Sequence, residues 1–353
     1  MAKRRAAIIG TGSISHSHMK GWLKIADQYE IVACCDLDGE KARRFAQTYH
    51  IPNVYTDCAE MMEKEKPYCV SNCTWNSAHA ETTIAALRGG AHVLCEKPMS
   101  ISTAEAEKMA TVAKENNRLL QIGFIRRFGQ DAETVKRLAD ARILGDIYYG
   151  KTHFLRRDNG PGGWFNDKSY SGGGPMMDIG VHMIDLCRYL AGNPKPVSVY
   201  AAAFDHLKDM HVLGAKADWV IEGTEKAYKH DVEDLAIATI RFDNGFVLHA
   251  EASSALHTCA PGRCIELFGT SGGIRIDNDV EYCTSQAGMH VITKPTAPSR
   301  FRHEDACAAE IRSFVEAIEG APCRASAQDG IEMMKIIDAI YESARTGNQV
   351  TIA

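Results

Sequence analysis

The sequence predicts an α/β protein with two domains: a parallel sheet with crossover helices over residues 1–124, and an α+β domain with a large, mostly antiparallel open sheet over residues 125–353. In the first part, short apolar runs alternate with helical patterns, which is typical of a parallel sheet. After Phe124, long runs such as residues 197–204 alternate between apolar and polar side chains, which favours antiparallel strands with one covered face. A chain of 353 residues is long for one domain and suits two.

Apolar runs and helical patterns locate the individual elements. In the first domain, strands are expected at residues 6–9, 31–36, 68–73, 92–95 and 119–123, with helices between them. The second domain is expected to begin with a helix at 130–141 and to contain strands at 147–154, 197–204, 235–242, 246–253 and 264–269. Two closing helices are expected at 304–319 and 328–346. The least patterned stretch, residues 208–228, is a candidate lid.

A glycine-rich turn follows the first expected strand. The run Gly10-Thr11-Gly12-Ser13-Ile14-Ser15 leads into a helical pattern, and backbone N–H groups at such a helix N-terminus bind a pyrophosphate. The second strand ends at Asp36, where a dinucleotide fold places the acid that binds the adenosine ribose. The pattern therefore predicts a Rossmann domain. NAD is favoured over NADP, because Asp36 repels a 2′-phosphate and neither Leu37 nor Asp38 supplies a cation for it.

A lysine follows the strand expected at 92–95, in the run Glu96-Lys97-Pro98. Ligands bind at the carboxyl ends of parallel strands, so Lys97 is a candidate to face a ligand. The alternative is a surface lysine before a turn. The accompanying glycine turn favours the functional interpretation.

A second helix start carries an acid and an imidazole. Three glycines precede Pro175, which suits the first turn of a helix, and we expect the glycines to let the backbone approach a ligand closely. Asp178 and His182 are four residues apart, about 40° around the helix axis and about 6 Å along it, so they share a face, with Asp185 close to it. An aspartate beside a histidine fixes its tautomer and raises its basicity, which favours proton transfer. The opposite stripe is expected in the core: Ile179, Met183, Leu186 and Leu190.

These motifs together resemble the Gfo/Idh/MocA oxidoreductases, and the resemblance spans nearly the whole chain. It rests on the turn Gly10–Ser15, on Cys73-Thr74-Trp75-Asn76 with His79, on Glu96-Lys97-Pro98, on the run from Gln121 to Phe128, and on the block that ends in Asp178 and His182. The run Arg126-Arg127-Phe128 makes the inositol dehydrogenase branch the most similar. The resemblance implies that Lys97, Asp178 and His182 form the catalytic set.

The turn, the strand ends and the resemblance define the expected binding residues. Those for NAD are Gly10, Thr11, Gly12, Ser13, Ile14, Asp36, Leu37, Cys73, Thr74, Asn76, His79, Glu96 and Lys97. Those for substrate are Lys97, Arg127, Asp158, Trp164, Asp178 and His182, with Arg156 and Arg157 as further candidates. The alternative interpretation of each arginine is a surface residue that is solvated or ion-paired and does not bind substrate.

The expected reaction is reversible hydride transfer between NAD and a secondary alcohol of a cyclic polyol or sugar. His182 takes the hydroxyl proton, Asp178 orients it, and Lys97 hydrogen-bonds the same oxygen, although the pattern leaves open which of Lys97 and His182 is the base. Two alternatives remain: an NAD-dependent enzyme that cleaves glycosides through transient oxidation, and a non-catalytic regulator that senses NAD or a sugar.

Composition agrees with a small-molecule enzyme. A net charge of −5 gives no basic field for nucleic acid and no polybasic membrane patch. No export or membrane-spanning segment is expected. The 12 cysteines contain no C-x-x-C pair, which favours reduced thiols in the cytoplasm, and no metal is assigned. A homodimer or homotetramer is expected, because the family resemblance implies that the open face of the sheet in the second domain often forms an oligomer interface.

Overall fold

The structure, a computed structural model, describes residues 2–157, 160–207, 228–296 and 299–352. These residues form two compact units. The N-terminal unit contains the residues up to Phe124 together with Glu304–Met334. The C-terminal unit contains the described residues from Ile125 to His303 and from Lys335 onward. Each unit is built on its own sheet.

The N-terminal unit has six parallel strands within the described ranges. In chain order the strands are β1 (Arg4–Ile9), β2 (Tyr29–Cys35), β3 (Asn53–Tyr55), β4 (Cys69–Asn72), β5 (His92–Glu96) and β6 (Leu120–Gly123), and the helices between them are α1 (Ser13–Leu23), α2 (Gly39–Tyr49), α3 (Cys58–Glu65), α4 (His79–Arg88) and α5 (Thr103–Glu115). The sheet order is β3-β2-β1-β4-β5-β6. From β1 the strand order runs to β2 and β3 on one side and to β4, β5 and β6 on the other, as in a Rossmann fold. The prediction of a Rossmann domain is therefore confirmed. The pattern does not predict β3, because three half-buried residues are too short to show a period.

An aromatic and aliphatic core fills the N-terminal unit. Trp22 is completely buried and its indole N–H donates to the hydroxyl of Ser71 at 2.9 Å, which satisfies both polar groups. Phe314 and Ile311, both completely buried, belong to the same cluster as Trp22. They lie on α9 (His303–Ile318), so the first of the two expected closing helices packs on this core.

The C-terminal unit has nine strands within the described ranges. In chain order its elements are α6 (Gln130–Asp140), β7 (Ile147–Leu155), α7 (Lys168–Ser171), α8 (Val181–Leu190), β8 (Pro196–Phe204), β9 (Leu235–Phe242), β10 (Val247–Ser253), β11 (Gly262–Gly269), β12 (Gly273–Ile276), β13 (Val280–Gln286), β14 (Met289–Thr293) and β15 (Val350–Thr351). Helix α10 (Ala327–Thr346) precedes β15 and belongs to this unit from Lys335 onward. The sheet order is β14-β13-β12-β11-β7-β10-β9-β8-β15. Only the pair β7 and β10 is parallel among these strands, so the expectation of a mostly antiparallel sheet is confirmed.

Burial along the central strands follows the period of two that the sequence shows. In β9, Ala236, Ala238 and Ile240 are buried and alternate with half-buried residues. Helix α8 covers this sheet at β7, β10 and β11. Met183, Leu186 and Leu190 of α8 are buried, and so is Ile179 in the helical turn directly before it, as expected. No helix in the described ranges is long and apolar enough to cross a membrane.

Candidate active site

The glycine turn after β1 brings the ends of β1 and β4 together. Gly10 has a φ of +82°, and a Cβ at this position would lie 2.6 Å from the carbonyl carbon of Cys73 and from the nitrogen of Thr74. Any larger residue would displace that backbone. Ser15 is completely buried in α1 and its hydroxyl donates to the carbonyl oxygen of Gly12 at 2.6 Å. A small residue at position 15 therefore keeps the helix against the sheet.

Asp36 joins the end of β2 to the glycine turn. Its Oδ2 accepts hydrogen bonds from the backbone N–H and the hydroxyl of Thr11, at 2.8 and 2.9 Å, and its Oδ1 accepts one from the N–H of Asp38 at 3.0 Å. The neighbouring Leu37 is 78% exposed. The ammonium nitrogen of Lys41 lies 3.9 Å from Oδ2 of Asp36. Lys41 is a cation beside the expected ribose site that the sequence pattern did not identify.

His79 joins the segments that follow β4 and β5. Its Nδ1 lies 2.7 Å from the carbonyl oxygen of Pro98, and its Nε2 lies 3.1 Å from that of Thr74. Burial lowers the pKa of His79. Asn72, at the end of β4, accepts hydrogen bonds from the N–H and the hydroxyl of Thr74, and Asn76 is buried in the 3₁₀ turn that follows. The backbone after β4 is thus held in one conformation.

Glu96 lies at the end of β5 and is paired with His18. Its Oε1 is 2.7 Å from Nε2 of His18, and its Oε2 accepts the backbone N–H of Lys97 at 3.2 Å. A Cβ at Gly123 would lie 3.1 Å from the Cα of Glu96. Burial opposes ionisation, but the hydrogen bond and charge of His18 lower the pKa of Glu96 below its usual value. The carboxylate is therefore ionised at neutral pH. The Lys97–Pro98 peptide is cis.

Behind Glu96, three buried side chains meet: His18, Cys307 and Glu310. An imidazole nitrogen, the thiol sulfur and a carboxyl oxygen lie within 4.8 Å of one another. Burial raises the pKa of the Cys307 thiol and of the Glu310 carboxyl, and the charge of Glu96 raises that of Glu310 further. Both shifts favour the protonated forms of the thiol and the carboxyl group.

The N-terminal unit fits a dinucleotide. Gly12 caps α1 without any side-chain hydrogen bond, so backbone N–H groups and the helix dipole face the position of a pyrophosphate. Asp36 is fixed at the end of the neighbouring strand, where ribose hydroxyls bind. When bound, NAD would be held by residues of the turn Gly10–Ile14 and by Asp36.

In the C-terminal unit, Asp178 and His182 lie on one continuous helical segment. A π-helical turn, Met176–Gly180, begins after Pro175 and continues directly into α8. The expected helix start near Pro175 is confirmed, although its first turn is π-helical. A guanidinium nitrogen of Arg156 lies 3.5 Å from Oδ2 of Asp178. That contact places a positive charge beside the carboxylate.

The glycine run before this helix packs against protein groups. A Cβ at Gly173 would lie 2.0 Å from the hydroxyl oxygen of Tyr341, and a Cβ at Gly174 would lie 2.3 Å from the carbonyl oxygen of Glu233. The close approach of this backbone to a ligand stays a prediction. The structure shows a further reason for the two glycines, since side chains and backbone of the same unit leave no room for a Cβ at either position.

Arg127 forms a buried ion pair. Its Nε and Nη2 donate to the two carboxylate oxygens of Asp185 at 2.9 and 2.6 Å, and both residues are completely buried. The guanidinium carbon also lies 4.9 Å from the centre of the Tyr189 ring. This is the ion-paired alternative that the sequence left open, in a buried position. A substrate contact for Arg127 stays a prediction, and Arg157 binds the carbonyl oxygens of Thr258 and Cys259.

Trp164 lies in a 3₁₀ turn, Gly163–Asn166, and is half-buried. Its ring stacks on that of Phe165 with 3.9 Å between the centroids. Two further expectations, a substrate contact for Asp158 and a lid at 208–228, fall wholly or almost wholly outside the described residues.

Sequence reasoning missed several residues that hold the expected site residues in place. His18 is one helix turn beyond Ser15, but no local pattern connects it to Glu96, 78 residues later. Glu233 lies 59 residues after Gly174, whose backbone N–H donates to its carboxylate. Lys41 could have been found, because it is one helix turn beyond Asp38 and close to Asp36 in the chain.

Together, the Rossmann sheet, its glycine turn, the acid at the end of β2 and the second unit with a mixed nine-stranded sheet define a dinucleotide-dependent oxidoreductase. Residues 4–124 match the model of the oxidoreductase family with an NAD-binding Rossmann fold. Residues 132–275 match the GFO/IDH/MocA C-terminal domain. The chain belongs to the Gfo/Idh/MocA family of NAD-binding oxidoreductases.

Characterised relatives extend over nearly the whole chain. The D-glucoside 3-dehydrogenase of Escherichia coli is 30% identical over 99% of this chain and 97% of its own length. The levoglucosan dehydrogenase of Pseudarthrobacter phenanthrenivorans is 28% identical over 90% of this chain and 87% of its own. The myo-inositol 2-dehydrogenase of Thermotoga maritima is 28% identical over 92% of both. Relatives thus include inositol dehydrogenases together with dehydrogenases of other sugars.

Solved structures share the fold. A levoglucosan dehydrogenase in complex with NADH covers 100% of both chains with a TM-score of 0.85 at 24% identity. An oxidoreductase domain protein from Kribbella flavida reaches a TM-score of 0.87 at 23% identity, again over 100% of both chains. At this identity the similarity is one of fold.

We predict that Asp36 sets the preference for NAD. Its carboxylate repels a 2′-phosphate, so NAD should bind more tightly than NADP by ~1–3 kcal/mol. Asp36→Ala should narrow that gap, because it removes the repulsion and leaves Lys41 to face the phosphate. Titration calorimetry with both cofactors measures the gap.

Asp36→Asn is the matched control, since an amide oxygen can still accept from Thr11 while the charge is lost. If charge is the cause, Asn and Ala narrow the gap alike. Equal binding of NAD and NADP by the unmodified protein would contradict the prediction.

Proposed function

We propose that the protein is an NAD-dependent dehydrogenase that transfers a hydride between the cofactor and a secondary alcohol of a cyclic polyol or sugar. The observation that carries the proposal is the helix in which Asp178, beside Arg156, precedes His182 by four residues. Relatives over the full length support the substrate class, because their names include a glucoside, an anhydro sugar and an inositol.

The roles of the chain's own residues follow from their chemistry. His182 takes the proton of the substrate hydroxyl, while the adjacent carbon loses its hydrogen as a hydride and becomes a carbonyl. Asp178 orients the imidazole, and Lys97 donates a hydrogen bond to the reacting oxygen and stabilises its developing charge. When bound, NAD supplies the hydride acceptor. In the reverse direction His182 returns the proton.

Substrate contacts are proposed at Lys97, Asp178 and His182, with Trp164, Asp158 and Arg127 as further candidates from sequence. Arg156, also a candidate from sequence, is favoured because its guanidinium lies 3.5 Å from Asp178 and is only partly buried. A guanidinium at this position can donate to a ring hydroxyl while it holds the carboxylate.

A substrate panel tests the proposal. We expect NADH absorbance to rise with NAD and at least one of methyl β-D-glucoside, levoglucosan or myo-inositol, because each presents secondary hydroxyls on a ring. The glycoside-cleaving alternative forms no net NADH and instead releases a free sugar from methyl β-D-glucoside. A protein that binds NAD but neither forms NADH nor releases sugar from a wider set of cyclic polyols would be a sensor, and the proposal would be wrong.

Variants of the catalytic set test the assigned roles. Lys97→Ala and His182→Ala should each lower the rate of hydride transfer by about 10² to 10⁴, the range for positioned acid and base groups, with NAD affinity nearly unchanged. Asp178→Asn should lose about as much as His182→Ala, and the double variant little more than either alone, because residues that act as a unit are not additive. Single-turnover NADH formation measures these rates.

Lys114→Ala and His290→Ala are matched controls, since they make the same changes at exposed positions of the two units. Thermal unfolding of every variant separates a lost rate from a lost fold. Near-normal turnover per folded molecule in Lys97→Ala or His182→Ala would overturn the mechanism.

We also propose that the chain forms a homodimer or homotetramer through its nine-stranded sheet. The outer face of that sheet exposes Tyr149, Tyr200 and Phe204, whose strand partners Val247, Thr239 and Leu235 lie on the same face. Light scattering at micromolar concentration should give two or four times the monomer mass. A monomer under those conditions contradicts the proposal.

A further inference from the structure

The carboxyl group of Glu233 lies against the start of the helix that carries Asp178 and His182. Its Oε2 accepts the backbone N–H of Gly174 at 2.9 Å, and its Oε1 accepts the N–H of Met176 at 3.2 Å. Oε1 also accepts the hydroxyl proton of Tyr341 at 2.9 Å. Three donors from two separate segments thus converge on one carboxyl group.

Local packing adapts the chain to this contact. The Cβ of any residue other than glycine at position 174 would lie 2.9 Å from Oε2 of Glu233, and at position 173 it would lie 2.0 Å from the hydroxyl oxygen of Tyr341. The two glycines therefore allow Glu233 and Tyr341 to reach the backbone. Proline at 175 contributes no N–H, so the two amides that flank it are those that Glu233 binds.

The bound amides are directly connected to the expected catalytic residues. The N–H of Asp178 donates to the carbonyl oxygen of Gly174 at 3.0 Å. The π-helical turn that begins at Met176 continues into α8 and His182 without a break. A shift of Gly174 and Met176 therefore moves Asp178 with them.

Electrostatics also favour the Glu233 carboxyl group at the start of this helix. Unsatisfied N–H groups and the positive end of the helix dipole favour an anion at a helix start. Desolvation raises the pKa of Glu233, and the N–H groups of Gly174 and Met176 with the hydroxyl of Tyr341 partly offset that rise. The same desolvation and the neighbouring carboxylate raise the pKa of Tyr341, which keeps its hydroxyl a donor.

We propose that Glu233 is a positioning residue for the dehydrogenase, which sets the place of Asp178 and His182 by holding both amides at the start of their helix, with Tyr341 fixing the carboxyl group from the other side. The inference rests on the proposed function. Glu233 acts through the helix and touches neither substrate nor cofactor.

Glu233→Gln tests positioning against mere packing. Glutamine has the same size, but it has one acceptor oxygen where the three donors need two, so an amide N–H₂ must face either Gly174 or Met176. If Glu233 only fills space, Glu233→Gln should leave kcat unchanged. Positioning predicts that kcat of the folded variant falls by about 10- to 100-fold, as expected for a displacement of about 1 Å, with the Kd for NAD unchanged.

Hydrogen exchange gives a readout that does not depend on catalysis. In Glu233→Gln, whichever amide faces the new N–H₂, that of Gly174 or that of Met176, should exchange at least about 10-fold faster than in the unmodified protein, because the hydrogen bond that protects it is lost. Ser343→Ala is the matched control. Its hydroxyl accepts the N–H of Ala201 and donates to the carbonyl oxygen of Asn348, so the variant should lose thermal stability without changing kcat or exchange at Gly174 and Met176.

The kinetic assay uses the panel compound that the unmodified protein oxidises most rapidly. If the unmodified protein oxidises none, the proposed function fails and the positioning role fails with it, whereas the exchange measurement still shows whether Glu233 holds the helix start. Normal kcat in Glu233→Gln, or unchanged exchange at both amides, overturns the positioning role. Loss of kcat in Ser343→Ala equal to that in Glu233→Gln overturns it as well, because a general loss of rigidity would then explain both.

Discussion

The contact between Gly10 and the peptide that joins Cys73 to Thr74 is the constraint on which the N-terminal site depends. A Cβ at position 10 would lie 2.6 Å from the atoms of this peptide, so no residue with a side chain fits there. The contact brings the end of β1 beside the end of β4, and it turns the chain into α1 with its N–H groups facing outward from the sheet edge. Asp36 then fixes the turn through two hydrogen bonds from Thr11. The dinucleotide site is thus a consequence of close backbone packing.

A second constraint of the same kind starts the helix of Asp178 and His182. Gly173 and Gly174 pack directly against Tyr341 and Glu233. The helix start is therefore fixed by Tyr341 on α10 and by Glu233, which lies two residues before β9. Both functional segments therefore begin at glycines that other parts of the same unit require. This explains why the glycine runs are found at these positions whether or not a ligand is near.

Two buried acids of the described residues are paired with basic side chains. Arg127 meets Asp185 through two short hydrogen bonds, and Glu96 meets His18 through one. Removing one member of such a pair leaves an uncompensated charge in a medium of low polarity, which is far less favourable than the loss of a surface ion pair. Arginines and acids that look like binding residues in the sequence can thus be needed for the structure of the unit.

The sequence by itself determined the α/β fold class with one parallel and one mostly antiparallel sheet, the glycine turn, and the helix start near Pro175. These follow from local causes: burial with a period of two or 3.6 residues, a backbone conformation that glycine permits, and the missing N–H of proline. Very short strands such as β3 and β15 escaped prediction, because two or three residues show no period.

Only the tertiary structure decided which polar groups meet. The pairing of His18 with Glu96, of Arg127 with Asp185 and of Glu233 with the amides of Gly174 and Met176 joins residues 57 to 78 positions apart. Such partners are chosen by strand order and helix packing, which bring distant segments together after the local elements have formed. A sequence pattern records the type of each side chain, whereas a hydrogen bond depends on where the whole unit places it.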